Sequence, residues 1–201
     1  MKKKVYSIII GILIVLAVFL YAHIGKTHNI YDKEVETGEY RTTTLYTNND
    51  SLSQEFQCPE ESLDGIRVRC NLTGDTNAVE VIYSLTDLST NEEVASGTVG
   101  GDEFENNKFY QFSFDTVTGC KDKQYLFTIE ILNQDAGNCI NFSYQDGKEP
   151  GTSMSINEED VNGTLIMRTV TDKFDMETFV VLLIFVIYVI AFMKFLNRLF
   201  K

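Results

Sequence analysis

The chain has no tryptophan and only two prolines, two histidines and four cysteines in 201 residues. Two prolines and 13 glycines exclude collagen-like and low-complexity classes. The histidines, His23 and His28, both adjoin an apolar run. A His-ligated zinc centre or a Ser–His–Asp triad therefore lacks its parts. Basic residues are also scarce: 17 Lys+Arg face 29 Asp+Glu, for a net charge of -12 and a pI near 4.6. A nucleic-acid binder needs a basic face to neutralise phosphates, so nucleic acid is not an expected partner. GxSxG, HExxH, P-loop and GxGxxG patterns are missing as well. The chain reads as a non-enzyme with no cofactor and no metal centre.

What is present begins with two apolar runs. Residues 5–22 carry no charge. As a helix they would extend about 27 Å, close to the hydrocarbon thickness of a bilayer. Residues 179–193 form a second uncharged run, which snorkelling of Lys194 and the apolar residues after it would lengthen to about 20 residues. Lys2, Lys3 and Lys4 precede the first run; Lys194, Arg198 and Lys201 follow or end the second. By the positive-inside rule both termini are cytoplasmic and the middle of the chain faces outward. The expected organisation is a basic flank (1–4), a first transmembrane helix (5–24), a stalk or linker (25–50), an extracytoplasmic β domain (51–172), a second transmembrane helix (176–196) and a basic tail (197–201). The first partner is thus the lipid bilayer, and the location is the cell membrane. A cleaved signal peptide is the competing reading of the first run, but Leu20-Tyr21-Ala22 puts a bulky residue where a small one is preferred. Removing the six flanking cations leaves 11 Lys+Arg against 29 Asp+Glu, or -18 between the flanks.

From about residue 51 to 171 the dominant period is two, the signature of half-buried strands. Leu52, Gln54, Phe56 and Cys58 share one face. Ile66, Val68 and Cys70 alternate with Arg67 and Arg69. Val79, Val81, Tyr83 and Leu85 follow, then a short strand at 94–99, then Tyr110, Phe112 and Phe114. Tyr125, Phe127, Ile129 and Ile131 form the next set, then Ile140, Phe142 and Tyr144, and a last strand covers 164–170. Turn-forming clusters such as Thr73-Gly74-Asp75, Gly100-Gly101-Asp102 and Asp146-Gly147 separate them. The expected fold is all-β: an antiparallel β-sandwich or jelly roll flanked by two transmembrane α-helices.

The four cysteines, Cys58, Cys70, Cys120 and Cys139, all lie in the outward block. None has CxxC spacing or a nearby histidine, so zinc is not expected. Their positions on the pleat favour disulfides joining Cys58 with Cys70 and Cys120 with Cys139, though three connectivities are open and free thiols remain the alternative. Asp75, Asp135, Asp146 and Asp160 are loop oxygens of the type that bind calcium, but none matches an EF-hand. Tyr31, Tyr40 and Tyr46 fall outside the strong strands and are candidates for an exposed sugar-binding platform.

Phe56, Leu63-Asp64-Gly65-Ile66, Leu85-Thr86-Asp87 and Tyr125-Leu126-Phe127-Thr128-Ile129 carry a resemblance over residues 52–132. The stretch resembles the jelly-roll modules, in the style of galactose-binding and carbohydrate-binding-module folds, of Gram-positive bacterial envelope and polysaccharide-synthesis membrane proteins. The resemblance implies a cell-envelope setting and carries over no catalytic residue. The expected function is a membrane-anchored, non-catalytic interaction or accessory module for a polysaccharide-assembly or transport protein. Its partners would be a larger membrane protein or an envelope glycan. Direct glycan binding is the first alternative and glycan hydrolysis, which needs two carboxylates across a cleft, the second.

Overall fold

Alternating apolar and polar side chains divide the middle of the chain between two sheets. The computed structural model describes the backbone from Lys2 to Phe200, and the side chains of those residues except positions 2–8, 23–24 and 173. In chain order the elements are α1 (Lys2–Ala22), β1 (His23–Asn29), β2 (Arg41–Thr42), β3 (Asp50–Gln57), β4 (Ser62–Thr73), β5 (Glu80–Asp87) and β6 (Glu92–Gly100). Then come β7 (Phe109–Thr118), β8 (Gln124–Leu132), β9 (Cys139–Asp146), β10 (Ser153–Ile156), β11 (Glu159–Val161), β12 (Gly163–Leu165), β13 (Met167–Phe174) and α2 (Met176–Leu199). One sheet has the order β1-β13-β4-β9-β12, with β2 added on β9 and β7 on β4; the other has the order β11-β10-β3-β8-β5-β6. The pairings among β2–β13 are antiparallel, and the two sheets make a β-sandwich.

The core lies between the sheets. β3 sends Leu52 and Phe56 inward; β8 sends Tyr125, Phe127, Ile129 and Ile131; β5 sends Val81, Tyr83 and Leu85. The facing sheet contributes Ile66, Val68, Phe112, Ile140 and Phe142. Phe112 of β7 and Phe127 of β8, one from each sheet, bring their rings to 5.4 Å. Each fully buried side chain of this size contributes about 1.5–3 kcal/mol relative to exposure. At Gly65 a Cβ would fall 2.8 Å from the Phe112 carbonyl oxygen, which explains why glycine stands where the β4–β7 register shifts.

Strands of three or four residues such as β10 and β11 are too short to show a period and are not expected from the sequence, and β12 is read there only as the start of the strand at 164–170. Polar side chains hold them. Gln54 is fully buried; its Oε1 accepts from Leu165 N at 2.8 Å and its Nε2 donates to the Ser153 carbonyl at 3.0 Å. One side chain thus ties β3 to both β10 and β12. Asn141 acts similarly: its Oδ1 accepts from Leu45 N at 2.8 Å and from Thr43 Oγ1 at 3.1 Å. The segment around 43–45 therefore covers the second face of β9, and Asn141, Ser143 and Gln145 are buried although their alternation predicts a polar outer face.

Three sequence expectations are corrected. For residues 25–50, read as a stalk or as an edge strand with a linker, the stalk gives way to the edge strand: they hold the end of β1, at the edge of its sheet, and β2, and the compact unit Thr27–Thr171 takes in most of them. The strand expected at 164–170 is two strands, β12 and β13, in one sheet. The disulfides joining Cys58 with Cys70 and Cys120 with Cys139 are not formed: all four cysteines are free and buried. Cys70 lies within β4 and faces Phe142 across the ladder, whereas Cys139 faces Thr73, and neither meets its expected partner.

The second compact unit holds both helices. Asp175 caps α2, accepting from Thr178 N at 3.1 Å, and Lys26 Nζ stands 3.2 Å from its other oxygen. These bonds lower the Asp175 pKa, the Thr178 backbone bond most of all. α2 is long and apolar enough to cross a bilayer, with a mean hydropathy of 2.9 and none of its apolar window buried. The sequence predicts two such helices and the structure shows one: the apolar stretch of α1 among the described residues, Ile9–Ala22, is shorter. Of the cations expected to set topology, Lys194 and Arg198 lie within α2. Lys201 and the side chains of Lys2, Lys3 and Lys4 lie outside the described residues.

The Gln54→Leu variant leaves the Leu165 N–H and the Ser153 carbonyl buried without partners. Unfolding in urea should show a loss of about 2–4 kcal/mol. The exposed Gln57→Leu change should cost under about 0.5 kcal/mol, and equal losses would remove this role from Gln54.

Candidate functional site

The alternation that sends Ile66, Val68 and Cys70 into the core sends Arg67 and Arg69 to the outer face of the same strand. β13 runs antiparallel beside it with Arg168 directly opposite Arg67. On the other side β7 places Gln111 opposite Arg67 and Phe109 opposite Arg69. Three arginines thus share one patch of one sheet face. Directly opposed like charges destabilise a sheet, so the arrangement needs either compensating carboxylates or another reason.

Six carboxylates are paired with other cations. Asp146 pairs with Arg41 at 2.6 Å, Asp160 with Lys148 at 2.6 Å and Asp87 with Lys123 at 3.0 Å. Lys108 pairs with Glu105 and Lys121 with Glu61. No ion pair among the described residues involves Arg67, Arg69 or Arg168.

Aromatic rings and neutral amides hold the arginines instead. The Arg168 guanidinium lies 4.1 Å from the centre of the Phe109 ring and 5.8 Å from that of Tyr31. Its Nη2 donates to the Tyr31 hydroxyl at 2.8 Å, and its Nε is buried without a partner. Arg69 sits 5.8 Å from the Tyr40 ring centre. Arg67 Nε donates to Gln111 Oε1 at 2.8 Å. The rings of Tyr31 and Tyr40 meet edge to face at 6.2 Å. Burial raises the Tyr40 pKa, helped by Tyr31, against the opposite pull of Arg69 and Arg168. Stacking on rings leaves a guanidinium's in-plane donors free, and those are the donors that grip a carboxylate or phosphate in bidentate fashion. Tyr31, Tyr40 and Arg168 line a cavity of about 390 Å³ together with Thr27, Asn29 and Lys33. Of the three arginines only Arg168 lines this cavity, and Lys33 adds a second cation to it. The cavity therefore offers aromatic surface and anion-binding donors together.

Two of the three tyrosines read from the sequence meet here. Tyr46 does not; it sits in a turn where its N–H donates to Asp50 Oδ2 at 2.7 Å. The arginines are the part that sequence reading misses as a site. Arg67 and Arg69 are visible as the outward half of an alternating strand, but Arg168 joins them only through the β4–β13 register.

The calcium candidates do not converge. Asp75 accepts from Asn77 N, Asp135 from Gly137 N and Asn138 N, while Asp146 and Asp160 are held in ion pairs. Among the described residues no cluster of three or more His, Cys, Asp or Glu side chains is placed to hold a metal. Asp87 is pushed down to about 2, chiefly by hydrogen bonds from Ser89 and then from Lys123, and works as a loop anchor.

No family model and no curated protein matches this chain. Among solved structures, it is similar to two of the clostridial cysteine protease Cwp84. One shows the protease after propeptide cleavage (10% identity, TM-score 0.43, 69% of this chain and 41% of that one). The other shows the cysteine protease and lectin-like domains of this Clostridium difficile surface-layer-associated protein (11% identity, TM-score 0.42, 69% and 37%). A subviral particle of infectious bursal disease virus VP2 matches at 13% identity and a TM-score of 0.24, over 74% of this chain and 37% of that one. This chain thus spans well under half of each of these structures.

If Arg67 and Arg168 repel without a carboxylate between them, Arg67→Gln relieves the repulsion. Thermal unfolding at low salt should show stability unchanged or raised by up to about 1 kcal/mol, with the gain shrinking in molar salt. A clear loss of stability would instead make Arg67 a structural residue.

Proposed function

We propose that this chain is a two-pass membrane protein with both termini in the cytoplasm. Its sandwich stands outside the membrane as a non-catalytic binding module, and its arginine–tyrosine face takes an acidic glycan of the cell envelope. The observation behind this reading is the unpaired trio Arg67, Arg69 and Arg168, kept together in a region whose charge is -18 between the terminal cations. A chain with so many carboxylates could neutralise the trio, yet aromatic rings and Gln111 support it. Sugar rings stack on aromatic faces and uronate carboxylates accept from guanidinium forks, so an acidic glycan uses both halves of the site. α2 supports the membrane reading by length and composition, and the charge-free run at residues 5–22 behind Lys2, Lys3 and Lys4 supports a second crossing. A tethered module of this kind would hold a glycan near the membrane for a larger assembly or transport protein.

The experiment uses cells displaying the full chain and a fluorescent uronic-acid oligosaccharide, with a neutral oligosaccharide of equal length as control. Intact cells should bind the acidic probe and not the neutral one. Losing one charge-assisted contact in Arg168→Ala should weaken binding at least about tenfold, and Tyr40→Ala should weaken it as well. Equal binding of both probes would overturn the acidic ligand. Binding seen only after permeabilisation would overturn the outward orientation.

A further inference from the structure

A second feature lies in the turns that follow β3 and precede β8. The β3–β8 ladder ends at the pair Gln57 and Gln124. Beyond it two turns, at residues 58–61 and 120–123, nest against each other. Cys58 N donates to the Lys123 carbonyl at 2.9 Å, Asp122 N to the Cys58 carbonyl at 2.8 Å and Cys120 N to the Glu61 carbonyl at 3.1 Å. The turn at 120–123 closes on itself, Lys123 N donating to the Cys120 carbonyl at 3.0 Å. This clamp sets Cys58 and Cys120 side by side, their thiols donating to the Glu60 carbonyl at 3.4 Å and to the Val117 carbonyl at 3.0 Å. Both are fully buried. The Tyr125 hydroxyl, buried and without a nitrogen or oxygen partner, faces Cys120. The other two cysteines cannot form such a pair. Cys70 faces Phe142 and Cys139 faces Thr73 on the β4–β9 ladder, three positions apart and on opposite sides of the pleat.

We infer that Cys58 and Cys120 are a modification site, an adjacent dithiol that closes to an intramolecular disulfide by exchange with an external disulfide. Cys58 lines a cavity of about 240 Å³ with His28, Gln57, Pro59, Asp122 and Pro150, which gives a small disulfide a way to it. The Cys58 thiolate attacks one sulfur of that molecule, forming a mixed disulfide and expelling a thiolate. The Cys120 thiolate then attacks the Cys58 sulfur and expels the second thiolate. The protein loses two thiol protons and two electrons, and the external disulfide is reduced to two thiols. Burial pushes the Cys58 thiol up to about 11, so the exchange is slow at neutral pH. The same protonation leaves Cys58 a poor nucleophile for catalysis, although His28 lines the same cavity. The bridge would close the chain from residue 58 to 120, which spans β4, β5, β6 and β7.

The full chain in detergent is incubated with oxidised glutathione or with a reductant, digested without reduction and mapped by mass spectrometry. The expected product is one internal bridge, Cys58 to Cys120, with Cys70 and Cys139 alkylated only after denaturation. Bridging should raise the melting temperature by roughly 10 °C. The Cys70→Ser, Cys139→Ser double variant should keep both the bridge and the rise, and Cys58→Ala should lose both. The peptide map of the unaltered chain decides the matter even if a variant fails to fold. Four free thiols after prolonged oxidant exposure, or a bridge that uses Cys70 or Cys139, would overturn the assignment. The two cavities share Asn29, but the peptide map reads the bridge alone and the oligosaccharide probe reads the arginine face alone.

Discussion

A strand cannot send two neighbouring side chains to the same side of its sheet. That rule of backbone geometry governs most of what this protein does with its residues. In β4 it commits Ile66, Val68 and Cys70 to the core, and in doing so commits Arg67 and Arg69 to the outer face. Antiparallel pairing then decides which strangers in sequence become neighbours. β13 must place Val170 opposite Gly65 and Met167 opposite Val68 to complete the ladder, and this carries Arg168 to Arg67. The core and the candidate site are two faces of the same register.

The same rule explains what could be read from the sequence. Strands β3 to β9 announce themselves by period two, and their inward residues, from Leu52 and Phe56 to Ile140 and Phe142, are those the structure buries. β10, β11 and β12 are too short to carry a period, and polar groups such as Gln54 hold them. The burial of Asn141, Ser143 and Gln145 was not legible, because a polar face predicts solvent unless the segment that covers it is known. Tyr31 and Tyr40 could be picked out as candidates. Their meeting with Arg168 depends on contacts between residues more than 100 positions apart. The cysteines show the limit most plainly. Pleat direction correctly turned Cys58 and Cys70 inward, but inward-facing residues are not thereby adjacent, and the neighbour of Cys58 is set by a turn-to-turn clamp.

Electrostatics separates the arginine face from the rest of the domain. Asp146, Asp87 and Asp160 are held by Lys or Arg partners and Asp135 by turn N–H groups. Such exposed pairs add little stability, yet they use up local charge. The patch around Arg168 stands apart: its cations rest on Phe109, Tyr31 and Tyr40 and spend only single donors on the neutral acceptors Tyr31 and Gln111. An acidic background would repel an anionic ligand at long range, so specificity must come from short-range bidentate contacts, which salt at physiological strength screens less than it screens distant charge. The proposed disulfide joins the turns before β4 and before β8, and its cavity shares Asn29 with that of the arginine face.

The most direct test of the binding face follows the arginine side chains themselves. In the full chain in detergent micelles, the Nε–Hε resonances of Arg67, Arg69 and Arg168 would be followed by NMR as a uronic-acid oligosaccharide is added. The account predicts that these three shift together and saturably, while Arg41, already paired with Asp146, stays in place. Shifts confined to Arg41 or spread evenly over all arginines, or no shift at saturating oligosaccharide, would contradict it.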